Sequence, residues 1–199
     1  MHPFCGISME VFMQRRTFSK MLAGLPLLGL ACRSIAGPVS TQKEIDEMQK
    51  NWKALLAENA EVAAGPKPPL TLANAEWKKK LNAAAYNVLR EKGTEYAGSS
   101  PLNNEKRAGV FACAGCNLPL FTSAMKYDSG TGWPSFFTTI PGVFGTTTDY
   151  KLIYPRTEYH CARCGGHHGH IFNDGPQPTG LRYCNNGVAL RFIPKSGKA

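Results

Sequence analysis

Two things are scarce in this 199-residue sequence: negative charge and long apolar runs. Asp and Glu number 14 against 23 Lys and Arg, a net charge of +9. Outside one N-terminal stretch, no segment approaches the 18 or so consecutive apolar residues a transmembrane helix needs. Charged residues make up only 19 % and hydrophobic ones 43 %, which excludes a wholly disordered chain and a coiled coil. The sequence also lacks internal repeats, apart from one duplicated cysteine pair, and low-complexity tracts. It lacks an even cysteine count as well: seven cysteines exclude complete intrachain pairing. What is there is one domain's worth of chain, with 20 glycines and 14 prolines that favour turn-rich β structure over a helix bundle.

The N-terminal stretch reads as an export signal. Arg15 and Arg16, followed by Phe18 and Lys20, precede an uncharged apolar run from Met21 to Ala31. Eleven residues are too few to cross a bilayer as a helix, which takes about 20. Basic, apolar and then small residues are the plan of a secretory signal, and the paired arginines resemble the twin-arginine type. Ser34-Ile35-Ala36 places cleavage after Ala36, so residues 1–36 form the expected signal segment and the product is expected in the periplasm or otherwise exported. The membrane then matters only during export. Lipid anchoring at Cys32 is disfavoured by Gly29, and residues 1–12 add nothing to the signal, so translation starting at Met13 is an alternative to Met1 or Met9. Removing residues 1–36 leaves 19 basic and 13 acidic side chains, a net charge of +6, and five cysteines.

Residues 37–70 are expected to form a helix and a linker. Thr41 and Glu44 have capping-box spacing, and Ile45, Met48, Trp52, Leu55 and Leu56 share one helical face over 41–60. The run from Gly65 to Pro69 is a stiff connector. The remainder, 71–199, forms the principal domain. A second helix is expected from Asn74 to about Lys92, stopped by Gly93. Beyond Val110, short β-branched and aromatic runs alternate with Gly, Pro and Asn turns, which is all-β grammar. Strands are expected at Val110–Ala112, Ser135–Ile140, Thr146–Pro155 and Ala189–Ile193.

Cys113-Ala-Gly-Cys116 and Cys161-Ala-Arg-Cys164 are two copies of one device. Each is followed by a residue suited to a tight turn, Asn117 or Gly165. Two such turns supply four sulfurs, the tetrahedral set that suits zinc. A closed four-sulfur site has no open position for water, so the metal's role is structural. Two redox pairs or disulfides are the competing reading. Neither CxxC opens a helix within a βαβ unit, however, and folding before export allows metal loading first.

Cys184 remains, in Leu181-Arg-Tyr-Cys-Asn-Asn-Gly187. A lone cysteine in a strand is often a small buried apolar residue. Arg182, two residues away on the same strand face, argues for a lowered thiol pKa. Asn185 and Asn186 are unusual inside a strand, and His167, His168 and His170 lie upstream as candidate acids or bases. On residues alone, Cys184 stands between nucleophile and inert core residue.

From about Trp77 to Pro194 the sequence resembles the B-type methionine sulfoxide reductases, which reduce the R epimer of methionine sulfoxide. The resemblance runs through Trp77 to Thr94, Phe111 to Cys116, Tyr127-Asp-Ser-Gly-Thr-Gly-Trp-Pro-Ser-Phe136, Cys161 to Phe172, and Asp174 to Cys184. It implies a mainly β fold of two small antiparallel sheets with the four-cysteine zinc site to one side and N-terminal helices, the Mss4-like fold. By the same resemblance Cys184 is the nucleophile and Cys113, Cys116, Cys161 and Cys164 hold zinc. His167, His170 and Asn186 line the catalytic site, Trp133 helps hold the substrate methyl group, and Arg182 and Asp174 tune the thiolate. A protonated histidine is then the expected proton donor, and Cys184 becomes a sulfenic acid.

Many members carry a resolving cysteine just before the Gly-Trp that matches Gly132-Trp133. Ser129, Gly130 and Thr131 stand there in this chain, with no spare cysteine. The expected reductant is therefore external, a thioredoxin-like protein or a small thiol, and the substrates are oxidised methionine residues in proteins or free methionine sulfoxide. Asn185 and Gly187 also depart from the apolar residue and serine common in the family. A zinc-ribbon module binding nucleic acid is the rival class. Its basic residues are spread, with Lys78–Lys80 the only run, so no nucleic-acid partner is expected.

Overall fold

The computed structural model describes residues 41–56 and 69–195. These fall within one unit of the chain, Ala36–Ala199. The signal segment, most of the Pro-rich linker and the far C-terminus lie outside the described residues. No described helix is long and apolar enough to cross a membrane.

The first helix, α1 (Gln42–Lys50), begins as its sequence predicts. The Thr41 hydroxyl accepts from the Glu44 amide, and the Glu44 carboxylate accepts from the Thr41 amide at 2.6 Å. A 3-10 turn (Asn51–Leu56) continues it, and Ile45, Trp52 and Leu56 are buried. The next helical stretch is two helices rather than one: α2 (Asn74–Lys80) and α3 (Ala83–Glu91). The break is at Leu81-Asn82, because the Asn82 side chain accepts from the Ala85 amide at 2.8 Å and so caps a new start. Lys92, not Gly93, takes the left-handed stop conformation. Gly93 follows it, and its amide returns to the Asn87 carbonyl at 3.0 Å.

Among the described residues, nine strands form two antiparallel sheets, as expected. β1 (Gly109–Cys113), β2 (Pro119–Thr122) and β9 (Leu190–Pro194) make a three-stranded sheet in the order β2-β1-β9. β3 (Lys126–Tyr127), β4 (Ser135–Phe136), β5 (Phe144–Asp149), β6 (Arg156–Cys161), β7 (His167–Phe172) and β8 (Arg182–Asn185) make a six-stranded sheet. Its order is β3-β4-β8-β7-β6-β5. Two strand expectations are too long. Ser135–Ile140 is a strand only at Ser135–Phe136, after which the Phe137 amide turns to Met125 and that of Ile140 to Leu120. Thr146–Pro155 stops at Asp149, whose carboxylate accepts from the Lys151 amide and bends the chain, while Pro155 has no amide to donate.

An aromatic core joins the sheets. Phe121 stacks on Phe136 with ring centroids 3.9 Å apart, and Phe111 meets Phe136 edge-on at 5.1 Å. Phe144, Tyr159 and Tyr183 extend the cluster within the larger sheet. Of these rings Phe111, Phe121, Phe136 and Tyr159 are fully buried, each contributing about 1.5–3 kcal/mol.

Candidate metal centre and active site

The two CxxC turns leave different sheets and meet. Cys113 ends β1 and Cys161 ends β6. Asn117 and Gly165 adopt left-handed conformations, φ 60° and 66°, which let the amide of each return to the carbonyl of Cys113 or Cys161 at 2.8 Å. The four Sγ atoms lie within 4.8 Å of one another, with Cys113–Cys164 at 3.7 Å and Cys116–Cys161 at 3.5 Å. Zinc with bonds of about 2.3 Å needs tetrahedral sulfur edges of about 3.8 Å. Two of the edges are close to that value and none exceeds 4.8 Å, so the donor set and its size fit such an ion. Arg163 donates to the Cys116 carbonyl at 2.6 Å and Arg90 to that of Cys164 at 2.8 Å. These bonds tie α3 and both turns to one centre.

Cys184 lies on β8 beside the pocket. In the ladder it faces His170 of β7 on one side and Ser135 of β4 on the other. A cavity of about 140 Å³ is lined by Thr94, Trp133, Arg156, His170, Phe172 and Cys184, with Gly169, Asn185 and Asn186 at its wall. The close approach of β7 requires Gly169, because a Cβ there would strike the Cys184 carbonyl. Trp133 is held by its indole N–H, which donates to the Glu95 carbonyl at 3.3 Å. Asn186 accepts from the Glu95 amide and donates to the His168 carbonyl at 2.9 Å. The Glu95 carboxylate accepts from the amides of Gly187 and Val188. Thus the turn after Cys184 is clamped to the segment after α3.

Both histidines have carboxylate partners that sequence reading missed. His170 Nε2 stands 2.7 Å from Asp149 Oδ2, which also accepts from Arg156 at 2.6 Å. His167 Nδ1 stands 2.9 Å from Glu158 Oε1, whose other oxygen accepts from Lys92 at 2.7 Å. The signal was available: Glu158 sits on β6, which pairs with β7, and Asp149 on β5, which pairs with β6 on its far side. Finding them needed the register Asp149↔Arg156 and Glu158↔His170, which no local pattern shows. His167 is buried behind His170, their ring centroids 5.5 Å apart, and does not itself line the cavity. His168 points into the core beside Phe144 and Tyr159.

Electrostatics correct two expectations. Burial pushes the Cys184 thiol up, and this outweighs the lowering by Arg182. Arg182 is largely committed elsewhere, donating twice to Asp174 at 2.8 and 2.9 Å while its guanidinium covers the Phe172 ring. Thr131 also reaches the thiol and favours its ionised form. Burial likewise pushes His170 and His167 down, against the raising effect of Asp149 and Glu158. Both imidazoles are therefore neutral at rest near pH 7, not protonated donors. The carboxylates stay charged. The Lys151 amide, His170 and Arg156 hold Asp149 well below the usual carboxylate range. For Glu158, burial acts upward, but bonds from Lys92 and His167 outweigh it.

A half-buried cysteine opposite a carboxylate-held histidine, in a chain that also holds a closed four-cysteine cluster, has the outline of a thiol-dependent oxidoreductase with a structural metal. Comparison with known proteins gives the family. The SelR domain pattern matches residues 81–194. The chain is 39 % identical over 182 residues to the peptide methionine sulfoxide reductase B1 of Arabidopsis thaliana chloroplasts, covering 91 % of this chain and 90 % of that one. It is 50 % identical over 123 residues to the peptide methionine sulfoxide reductase MsrB of Pseudomonas putida, covering 61 % of this chain and 92 % of that protein. With the MsrB of Leptospira interrogans it shares 48 % over 118 residues, 59 % of this chain and 90 % of that one. The chain belongs to the B-type peptide methionine sulfoxide reductase family. It is accordingly an oxidoreductase that reduces methionine sulfoxide in proteins.

Proposed function

We propose that Cys184 performs this reduction on the R epimer, with His170 as its proton partner. The observation that carries the reading is the cross-strand pair of Cys184 and His170 on one cavity wall. Asp149 engages His170 Nε2 and leaves Nδ1 for the pocket. Neutral His170 takes the Cys184 proton, and the Asp149 carboxylate stabilises the imidazolium formed. The thiolate attacks the sulfoxide sulfur. The imidazolium returns the proton to the sulfoxide oxygen, which passes to the cysteine sulfur. Methionine leaves, and Cys184 is left as the sulfenic acid: one thiol is oxidised by two electrons and one sulfoxide reduced by two. Trp133 and Phe172 receive the apolar methyl end, and Asn186 fixes the turn after the nucleophile. Arg182 and Asp174 secure one side of the pocket by ion pairing. His167, held by Glu158, supports His170 from behind.

The four-cysteine cluster holds zinc, which cross-links the sheets and takes no part in the chemistry. With no second cysteine near Cys184 among the described residues, the sulfenic acid is reduced by an external thiol, from a thioredoxin-like protein or a small molecule. The Arg15-Arg16 signal directs the enzyme out of the cytoplasm after folding and metal loading. Single turnover without reductant tests the reading. Wild type should release methionine and lose its Cys184 thiol, and Cys184→Ser should release none.

A further inference from the structure

Three hydroxyl groups line up beside the reacting sulfur. Ser135 of β4 stands directly opposite Cys184 in the β4–β8 ladder, on the side away from His170, and is fully buried. Its Oγ lies 2.8 Å from Ser129 Oγ, which in turn lies 2.8 Å from Thr131 Oγ1. Ser135 also reaches the Trp133 carbonyl at 3.1 Å, and the Thr131 amide donates to Ser129 Oγ at 3.4 Å. The Thr131 hydroxyl closes the row on the Cys184 sulfur. The row thus runs from the sulfur through Thr131, Ser129 and Ser135 to the Trp133 carbonyl.

A hydroxyl donates one hydrogen bond and accepts up to two, so three hydroxyl protons serve four contacts along the row. With Cys184 as a thiol, its own proton is the fourth. The S–H donates to Thr131, Thr131 to Ser129, Ser129 to Ser135, and Ser135 to the Trp133 carbonyl. Once the thiol proton has gone to His170, one contact must go without. Each hydroxyl then turns about its C–O bond, so that Ser135 donates to Ser129, Ser129 to Thr131, and Thr131 to the thiolate. Donation to an ionised acceptor is stronger than donation to a neutral carbonyl, and successive hydroxyls polarise one another, so the charge on sulfur selects this direction. A carbonyl at the inner end takes no proton. The row therefore carries no proton away and leaves that task to His170.

We propose that Thr131, Ser129 and Ser135 form a reversible hydroxyl chain that accepts from the Cys184 thiol and donates to its thiolate. Thr131 is the catalytic residue of the chain, since it touches the reacting sulfur, and the two serines are positioning residues behind it. The proposal rests on Cys184 as the reacting group of the reductase.

The test is the pH dependence of Cys184 alkylation by iodoacetamide in the full chain without substrate, read by peptide mapping. The charged and titratable groups facing the sulfur are His170 and Arg156 in the cavity, Arg182 and Asp174 beside β8, and Tyr127 and Tyr159. All stay in place in every variant. Thr131→Val should raise the alkylation midpoint by about one pH unit, a loss of thiolate of about tenfold below it, and Thr131→Ser should restore it. Ser129→Ala acts one hydroxyl away from the sulfur and should raise the midpoint about half as far, with Ser129→Thr restoring it. Ser129 and Thr131 are only half-buried, so these variants spare the core. An unmoved midpoint in Thr131→Val, or an equal rise in Thr131→Ser, overturns the proposal. So does an unmoved midpoint in Ser129→Ala, which makes Thr131 act alone. Methionine release is measured separately: its absence in wild type counts against the reductase reading, whereas the alkylation midpoints still decide the hydroxyl chain.

Discussion

His170 faces Cys184 directly across the β7–β8 ladder. Directly opposed residues on antiparallel strands hold their Cβ atoms about 4.5–5.5 Å apart, so the imidazole and thiol are neighbours by backbone register, not by side-chain reach. Asp149 then fixes which ring nitrogen is free. Replacing His170 with Ala should lower kcat about a hundredfold, the low end for loss of a proton-transfer group. Asp149→Asn keeps the shape but not the charge. It should lower kcat about tenfold with little change in KM, and Asp149→Glu should restore part of the loss. Steady-state kinetics with saturating dithiothreitol measure both.

Thr131 occupies the place of the resolving cysteine in many relatives, and its hydroxyl reaches the Cys184 thiol. Thr131→Cys should therefore resolve the sulfenic acid internally. After one turnover without reductant, peptide mapping should show a disulfide between the introduced thiol and Cys184 in the variant, and no intramolecular disulfide to Cys184 in wild type.

Acid stability turns on His168. Burial pushes its pKa down to about 4, against about 6.5 in an unfolded chain. The unfolded state thus binds the extra proton first as pH falls. His168 contributes no penalty above pH 6.5 or so, and stability declines between about 6.5 and 4 by an amount on the order of 3 kcal/mol. The depressed carboxyls of Asp149 and Glu158 act in the same direction at lower pH. Urea midpoints across this range should fall more steeply for wild type than for His168→Leu.

Much of this was legible locally. The CxxC spacing predicted the four-cysteine cluster, the Thr41–Glu44 spacing predicted a helix start that the structure reproduces, and the odd cysteine singled out Cys184, which lines the cavity opposite His170. The carboxylates were not legible, because their roles depend on the strand order β7-β6-β5 and its register. The break at Asn82 was hidden in a continuous apolar pattern that a side-chain cap interrupts. The thiol pKa depends on burial, which Arg182 two residues away could not reveal.

The four-cysteine cluster joins the end of β1 in one sheet to the end of β6 in the other. Chelation under denaturing conditions, or Cys116→Ser, should remove about one zinc per chain and prevent refolding, since such sites supply several kcal/mol of folding free energy. Metal analysis together with far-UV circular dichroism checks this.

The most direct test of the account is a thiol-coupled assay with each epimer of methionine sulfoxide, on wild type and Cys184→Ser. The account predicts turnover of the R epimer by wild type, none of the S epimer, and none of either by Cys184→Ser. Reduction of the R epimer by the serine variant, or of the S epimer by wild type, would contradict it.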